Sequence, residues 1–518
     1  PTYLPTYLPT YLPTYLPTPI KLLAIIGFLL SSVALQAQPI DSIAGTANVP
    51  LADSFNLQLG LNAGGASKDF MPTWLIANRW AMVADRRADV GLWGYFKHKH
   101  SFLEKDSTGR PKMPLARRSV FVEYAALPFT NNQFGQFTLN EAYAKLGYGR
   151  WELRAGRYRH VLGEIDPYLS SGSLGVSGNA LPIPMVTMAL ADYAPIPFTR
   201  GWVQVKGTFS HGWFGNNRYM QGAWLHEKSA YMRLGRGRLK LWGGVQHDVE
   251  WAGRRGNKQL DRGWKQYWEV VTVQEANDGS VGGNNILPNR PGDQRGVLEG
   301  GIDYEGKQLV WRAYHQVPFE SGQGIDIRNI DGLNGLSVQF KGKTPIRKLL
   351  VEFLYTKQME NYYPVRYAQT YYNNGYYKTG WEYDDWVVGS PLLINRVRGQ
   401  HYFSSVKPYD WTAPDDSIPA NSNIIVPQVI ALHLAGNYQL FRHRKCTMLG
   451  RTFVTYSVNY RTRQLATSYK QWNTMQEFSY QAYRLPALRV KLAIGFDTGD
   501  LSHNLGALLA ITWQLMGR

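Results

Sequence analysis

The sequence predicts an all-β protein, a large antiparallel transmembrane β-barrel, and three observations carry that expectation. From Leu51 onward, stretch after stretch alternates apolar and polar residues with a period of two, the signature of a strand with two different faces. Gly (51), Tyr (33) and Trp (17) are abundant while mean hydropathy is negative, which suits an aromatic girdle around a polar interior. After residue 40 no apolar run approaches the roughly 20 residues that a membrane helix needs. A soluble solenoid or propeller would also be strand-rich, but no motif recurs at a fixed period of about 20–50 residues.

Taken in order, the chain opens on a fourfold PTYL repeat, and residues 1–19 are set aside as no part of the fold. Residues 20–37 read as a secretory signal peptide: Lys21, the apolar run Leu22 to Ala34, then Ala37 as the small residue at the cleavage point. Residues 38–518 are the expected barrel. Phe55, Leu57, Leu59 and Leu61 alternate with polar residues or glycine, and Val90 to Phe96 (VGLWGYF) places glycines where side chains would crowd. Tyr148-Gly149-Arg150 turns one strand into Trp151, Leu153 and Ala155. Further hairpins turn at Gly235-Arg236-Gly237 and Glu305-Gly306-Lys307. Leu336, Val338 and Phe340 precede the turn region 341–348, and Leu349, Val351, Phe353 and Tyr355 follow it. Phe453 to Tyr460 and Thr474 to Tyr483 follow as strands. Leu488, Val490, Leu492, Ile494 and Phe496 give the cleanest alternation, and Ala507 to Leu515 is the last strand. About sixteen to eighteen strands fit the length.

Between Pro167 and Ala191 lie 25 residues without a charge. Ser170, Ser171, Ser173, Ser177 and Asn179, with Pro182 and Pro184, break any helix or strand, and lipid cannot host such backbone. The expectation is a segment that closes the lumen or an end of the barrel. A second irregular connection runs from Gln358 to about Asp416, and within it residues 362–386 hold eight Tyr and two Trp. Aromatic faces pack on pyranose C–H faces while amides and cations bond hydroxyls and carboxylates. Tyr371, Tyr372, Asn374, Tyr376, Tyr377, Lys378, Trp381, Tyr383 and Trp386 are therefore candidate polysaccharide contacts. The bland alternative is a type I′ turn at Asn374-Gly375 whose flanking tyrosines are cross-strand pairs or interface-belt residues.

The formal charge of +18 fits a basic surface against anionic lipid head groups, or an acidic polymer as partner. The single cysteine, Cys446, makes neither an intramolecular disulfide nor a cysteine-based metal cluster. No nucleophile elbow, zinc-protease helix or phosphate loop is present, so neither catalysis nor a metal or other cofactor is expected. A third reading, a barrel enzyme, would rest on His211, His226 and His247-Asp248. The export signal argues against nucleic acid despite the charge.

Seven stretches carry a resemblance: LSSGSLGVSGNALPIPMV (169–186), YAPIPFTRGWVQVKGTFSHGWF (193–214), LHEKSAYMRLG (225–235), HDVEWAGR (247–254), YYNNGYYKTGWEY (371–383), VVGSPLL (387–393) and FDTGDLSHNLGALLAITWQL (496–515). In these the chain resembles the Wzi family of capsule-assembly outer-membrane proteins, in its Bacteroidetes-type form. The resemblance implies an eighteen-stranded barrel in the outer membrane of a Gram-negative cell, with helical elements toward the periplasmic side and a lumen closed by its own loops. It also implies a surface lectin that holds capsular polysaccharide, with lipopolysaccharide and export machinery as further partners. The alternative is a porin or a polysaccharide conduit.

Overall fold

A computed structural model describes residues 53–102, 120–274, 290–320, 325, 329–342, 344–358, 370–414, 417–443, 446–460 and 467–517. The PTYL repeat and the expected signal peptide lie outside the described residues, as does the stretch 359–369 of the aromatic connection.

The first wall segment comprises β1 (Ser54–Ala66), β2 (Ala88–Phe102), β3 (Val120–Asn131), β4 (Gln136–Tyr148), β5 (Trp151–Arg157), β6 (Met185–Pro195), β7 (Val203–Gly215), β8 (Ala223–Leu234) and β9 (Leu239–Trp251). A two-residue hairpin, β10 (Arg254–Arg255) with β11 (Lys258–Gln259), precedes β12 (Asp293–Glu305), β13 (Leu309–Phe319), β14 (Gly332–Phe340) and β15 (Ile346–Tyr355). The connection that follows holds β16 (Glu382–Tyr383), β17 (Trp386–Val387), β18 (Ile394–Asn395) and β19 (Ile424–Val426). The wall ends with β20 (Gln428–His443), β21 (Cys446–Tyr460), β22 (Ser468–Ala482), β23 (Leu488–Gly499) and β24 (Asn504–Gly517). Three short helices are described: α1 (Thr73–Ile76), α2 (Trp264–Thr272) and α3 (Arg396–Gly399).

Eighteen strands form one sheet, each antiparallel to its neighbours, and β1 pairs with β24 through Leu59 opposite Trp513, which closes the barrel. Closure leaves no open edge, the condition for strands to stand in lipid. The period-two pattern sets the faces. On β23, Leu492, Ile494 and Phe496 point out and are exposed, while Ala493 and Asp497 point in and are buried. Trp151, Tyr148, Trp202 and Tyr483 stand exposed at the end where β1 begins and β24 ends, as one aromatic girdle. Gly91 shows why this wall uses glycine: a Cβ there would stand 1.8 Å from the Thr130 carbonyl oxygen on the neighbouring strand.

Connections at that end are short turns, apart from 103–119, which lies outside the described residues. The long connections 67–87, 158–184, 252–292, 320–331 and 356–427 all leave the opposite end, and all three described helices belong to them. Residues 67–87, 158–184 and 370–427 fold into the barrel and share a buried apolar cluster that includes Trp74, Leu169, Leu174, Tyr377, Trp381 and Val426. The barrel thus has a packed core inside its lumen. The irregular segment is shorter than its lack of charge implies. It ends at Pro184, and Val186 and Met188 already project outward from β6.

Candidate functional site

The plug is assembled on polar side chains that the wall aims inward. Glu352 on β15 accepts from the Ser170 hydroxyl, the Ser171 amide and the Ser171 hydroxyl, each at 2.6 Å, and from the Tyr314 hydroxyl of β13. Gln316 accepts from the Leu174 amide at 3.1 Å, and its own amide donates to the Ser173 hydroxyl at 3.3 Å and to Glu299 at 2.9 Å. His433 Nε2 lies 2.8 Å from the Leu169 carbonyl. Buried irregular backbone has no ladder partner, so side chains from strands β12, β13, β15 and β20 take that place.

The aromatic connection packs onto the same segment. Ser177 donates to the Gly389 carbonyl at 2.6 Å, and Asn179 to the Val387 carbonyl at 2.9 Å. In return Trp381 Nε1 donates to the Gly175 carbonyl and the Tyr372 hydroxyl to the Leu174 carbonyl, both at 2.7 Å. Gly389 is needed there, because a Cβ would fall 2.1 Å from the Tyr372 hydroxyl oxygen. Pro182 is buried and Pro184 half-buried as the chain rejoins the wall.

These contacts correct part of the expected sugar platform. Tyr371, Tyr372, Tyr377, Trp381 and Tyr383 are all buried. Their polar atoms are spent on Asp331 (2.8 Å, Tyr371), on backbone carbonyls, and on Arg157 Nη2, which donates to the Tyr383 hydroxyl at 2.8 Å. The rings serve as core, since a plug inside a barrel needs apolar surface of its own. Asn374, Tyr376, Lys378 and Trp386 remain half-exposed. The flanking tyrosines are not cross-strand pairs either. Asn374 Oδ1 caps the amides of Tyr376 and Tyr377 at 2.8 Å in a side-chain turn, and its amide reaches Asp293 at 2.9 Å.

Around these four, rings and cations alternate at the end of the long connections. Lys258 Nζ stands 5.3 Å from the Tyr376 ring, and Lys378 Nζ and the Arg255 guanidinium lie 4.8 and 4.2 Å from Tyr219. Arg396 covers Tyr409 at 4.1 Å, with Trp411 5.7 Å from Tyr409. Tyr219, Lys258, Arg255, Arg396, Tyr409 and Trp411 were not apparent as candidates in the sequence, because they come from three separate connections. The barrel-enzyme constellation dissolves: His247 and Asp248 are neighbours on β9, so one faces outward and the other into the lumen. His211 and His226 also face outward, opposite Ser210 and Glu227, which face in.

Among the described residues, Glu382 is the one buried plug carboxylate held by neutral donors alone. Asn395 and Asn423 donate to it at 2.6 and 2.8 Å. Burial, with the nearby Asp385 carboxylate adding, pushes it up to about 7. A raised folded value means the plug prefers the protonated form. That contribution is fully present below the ordinary value of 4.5 and is lost as pH rises through about 7. The loss is on the order of 3 kcal/mol. Hydrogen exchange of amides 380–395, corrected for intrinsic rates, is expected to quicken from pH 5 to 8 and to stay level in Glu382→Gln. Identical pH profiles would assign the change to another group.

A closed barrel with an apolar outer face, an aromatic girdle and a lumen filled by its own connections is an outer-membrane β-barrel protein. A family model described as capsule assembly protein Wzi matches residues 43–393. The chain belongs to that family. Among solved structures it is similar to Wzi of Escherichia coli, described as an outer-membrane protein involved in group 1 capsule assembly and a carbohydrate-binding β-barrel. Identity is 12%, the match covers 88% of this chain and 83% of that one, and the TM-score is 0.52. OccK5 of Pseudomonas aeruginosa (9% identity, 90% and 98% covered, TM-score 0.45) and OccAB4 of Acinetobacter baumannii (9%, 90% and 100%, 0.44) also match. No curated protein matches the chain by sequence.

Proposed function

We propose that this barrel holds an exported capsular or other extracellular polysaccharide at the cell surface, as a non-catalytic lectin, and that the polymer is acidic. Residues 20–37 direct export, residues 38–518 form the mature barrel, and the end with long connections faces outward, as in other such barrels. That puts the described helices at the outer end and not on the periplasmic side that the resemblance implied. The observation that carries the reading is the pair of half-buried rings Tyr376 and Tyr409, with a cation 5.3 and 4.1 Å away respectively, at that outer end. Aromatic faces hold sugar rings and cations hold uronate or phosphate groups. Family membership and the carbohydrate-binding relative in E. coli support it. Lumenal closure by Ser170 to Pro184 leaves retention, not passage, as the task, with lipopolysaccharide around the wall and export machinery as the source of polymer.

The test is the split between cell-bound and released polysaccharide in a deletion strain. Unchanged total polymer that moves into the medium fits an anchor, whereas polymer trapped in the periplasm would make the barrel a conduit. At residue level, Tyr376→Ala with Lys378→Gln is expected to weaken polysaccharide binding about tenfold, from one stacking and one charge-assisted contact. The heat-modifiable mobility of the barrel should not change. Full affinity in this double variant would remove the mouth of the 370–381 loop from the account.

A further inference from the structure

Outward positions on a membrane barrel face lipid and are apolar, and at the long-connection ends of β22, β23 and β24 they are Trp472, Phe496 and Leu505, all exposed. On β7, β8 and β9 the pattern breaks. The outward positions there include His211, His226, Lys228 and His247, with His211 opposite His226 and Lys228 opposite His247 in the register. Four polar side chains in one lipid-facing patch would be costly. They are instead sealed by α2, which lies against the outside of the wall. Val270 packs with Val249 and Trp251, the Tyr267 ring stands 5.9 Å from His211, and Lys228 Nζ donates to the Val271 carbonyl. His226 and His247 are buried beneath it.

The helix therefore replaces the wall as the surface that lipid meets. Its free face carries Trp264 (74% exposed) and Trp268 (48%), one turn apart, beside Lys265. Exposed tryptophans flanked by a cation are the composition of the membrane–water boundary. Next to this helix, between the turn 216–222 and the β10–β11 hairpin, a cavity of about 210 Å³ is lined by Asn216, Gln221, Trp224, Arg254, Gln259 and Arg262. Trp224 is an outward residue, so the cavity belongs to the circumference of the barrel and not to its lumen. Neither Arg254 nor Arg262 has a side-chain hydrogen bond or ion pair among the described residues. Two unpaired guanidinium groups beside amides and an indole fit a phosphate carried on a sugar, which arginine grips bidentately.

We infer that α2 and the Arg254–Arg262 cavity form one site for a phosphorylated glycolipid of the outer leaflet, with Trp264 and Trp268 at the acyl boundary and the arginines on the headgroup phosphate. The inference needs the long connections to face outward, but not the polysaccharide reading. The test uses full-length barrel in phosphatidylcholine nanodiscs with added diphosphoryl lipid A, counted by native mass spectrometry. Wild type is expected to retain lipid A, and Arg254→Gln with Arg262→Gln to bind it at least about tenfold more weakly. Lipid A stripped of phosphate should bind wild type no better than that variant binds the diphosphoryl form. With acyl-brominated lipids, Trp264→Phe with Trp268→Phe should reduce the quenched fraction of fluorescence. Unchanged lipid A affinity in the arginine variant, or unchanged quenching, overturns the site. Displacement of lipid A by millimolar inorganic phosphate makes it an anion site only. Loss confined to polysaccharide binding hands the arginines to the polymer. The last two results also overturn it.

Discussion

Excising residues 159–183 is expected to turn a silent barrel into an ion-conducting one. The cut is topologically mild because β5 and β6 are paired neighbours, with Gly156 opposite Met185, so a turn of a few Gly, Asn and Asp residues can bridge them. What leaves is the segment on which Glu352, Gln316 and His433 converge from three different strands. The aromatic connection then loses the carbonyls that Trp381 and Tyr372 bond, and the bonds from Ser177 and Asn179, and keeps its contacts with 67–87 and the wall. Eighteen strands enclose a lumen wide enough for water once side chains and loops are gone. In a planar bilayer the intact protein should show no large steady openings and the excised one should show them in most insertions. Single substitution of Glu352 by Ala, which strands the Ser170, Ser171 and Tyr314 donors, should give brief flickering openings instead. A silent excised barrel would mean that 370–427 alone fills the lumen.

The sequence shows the wall wherever the two faces of a strand meet different media, and hides it wherever they do not. β23 is transparent because its outward Leu492, Ile494 and Phe496 face lipid while Asp497 faces the polar lumen. β20 is opaque. Ile430, Leu432 and Leu434 face out, yet Val429, Ala431 and Ala435 face the apolar core of the plug, so alternation in polarity vanishes although alternation in direction persists. β3 hides for the same reason, with Leu127 and Phe129 buried against that core. A barrel with a core in its lumen thus erases the signal of the strands that touch that core.

The candidate site was misjudged by the same cause seen from the other side. Ten aromatics in 25 residues of a polar connection look like a ligand platform when loops are assumed to lie at the surface. Here the connection is interior, and tyrosine is suitable core material because its hydroxyl satisfies a backbone carbonyl or carboxylate that irregular structure leaves open. Among the nine candidates, only those at the rim of that core, Asn374, Tyr376, Lys378 and Trp386, keep access to solvent. Lys258, beside Tyr376, sits on another connection, and Arg396 with Tyr409 lies further along the same one, and no spacing rule joins residues so far apart in the chain.

This division between core and rim makes Trp381→Ala the sharpest single test. The indole is 1% exposed, its ring lies 6.2 Å from Phe214 and beneath the Arg295 guanidinium at 5.2 Å, and its N–H donates to Gly175. Truncation removes that hydrogen bond and opens a cavity, a loss of about 3–5 kcal/mol for a buried large aromatic. The cost should fall on the plug and spare the wall, whose eighteen strands are joined by their own ladder of hydrogen bonds. Heat-modifiable mobility should therefore stay that of the native barrel. Exchange of amides in 169–181 and 371–388 should quicken by about two to three orders of magnitude, since about 1.4 kcal/mol is one decade. Trp381→Phe, which keeps most of the ring, should recover the larger part. If instead Trp381→Ala leaves exchange unchanged and abolishes polysaccharide binding, the indole would have to be reached by the polymer, and the assignment of Tyr371, Tyr372, Tyr377 and Tyr383 to core would fall with it.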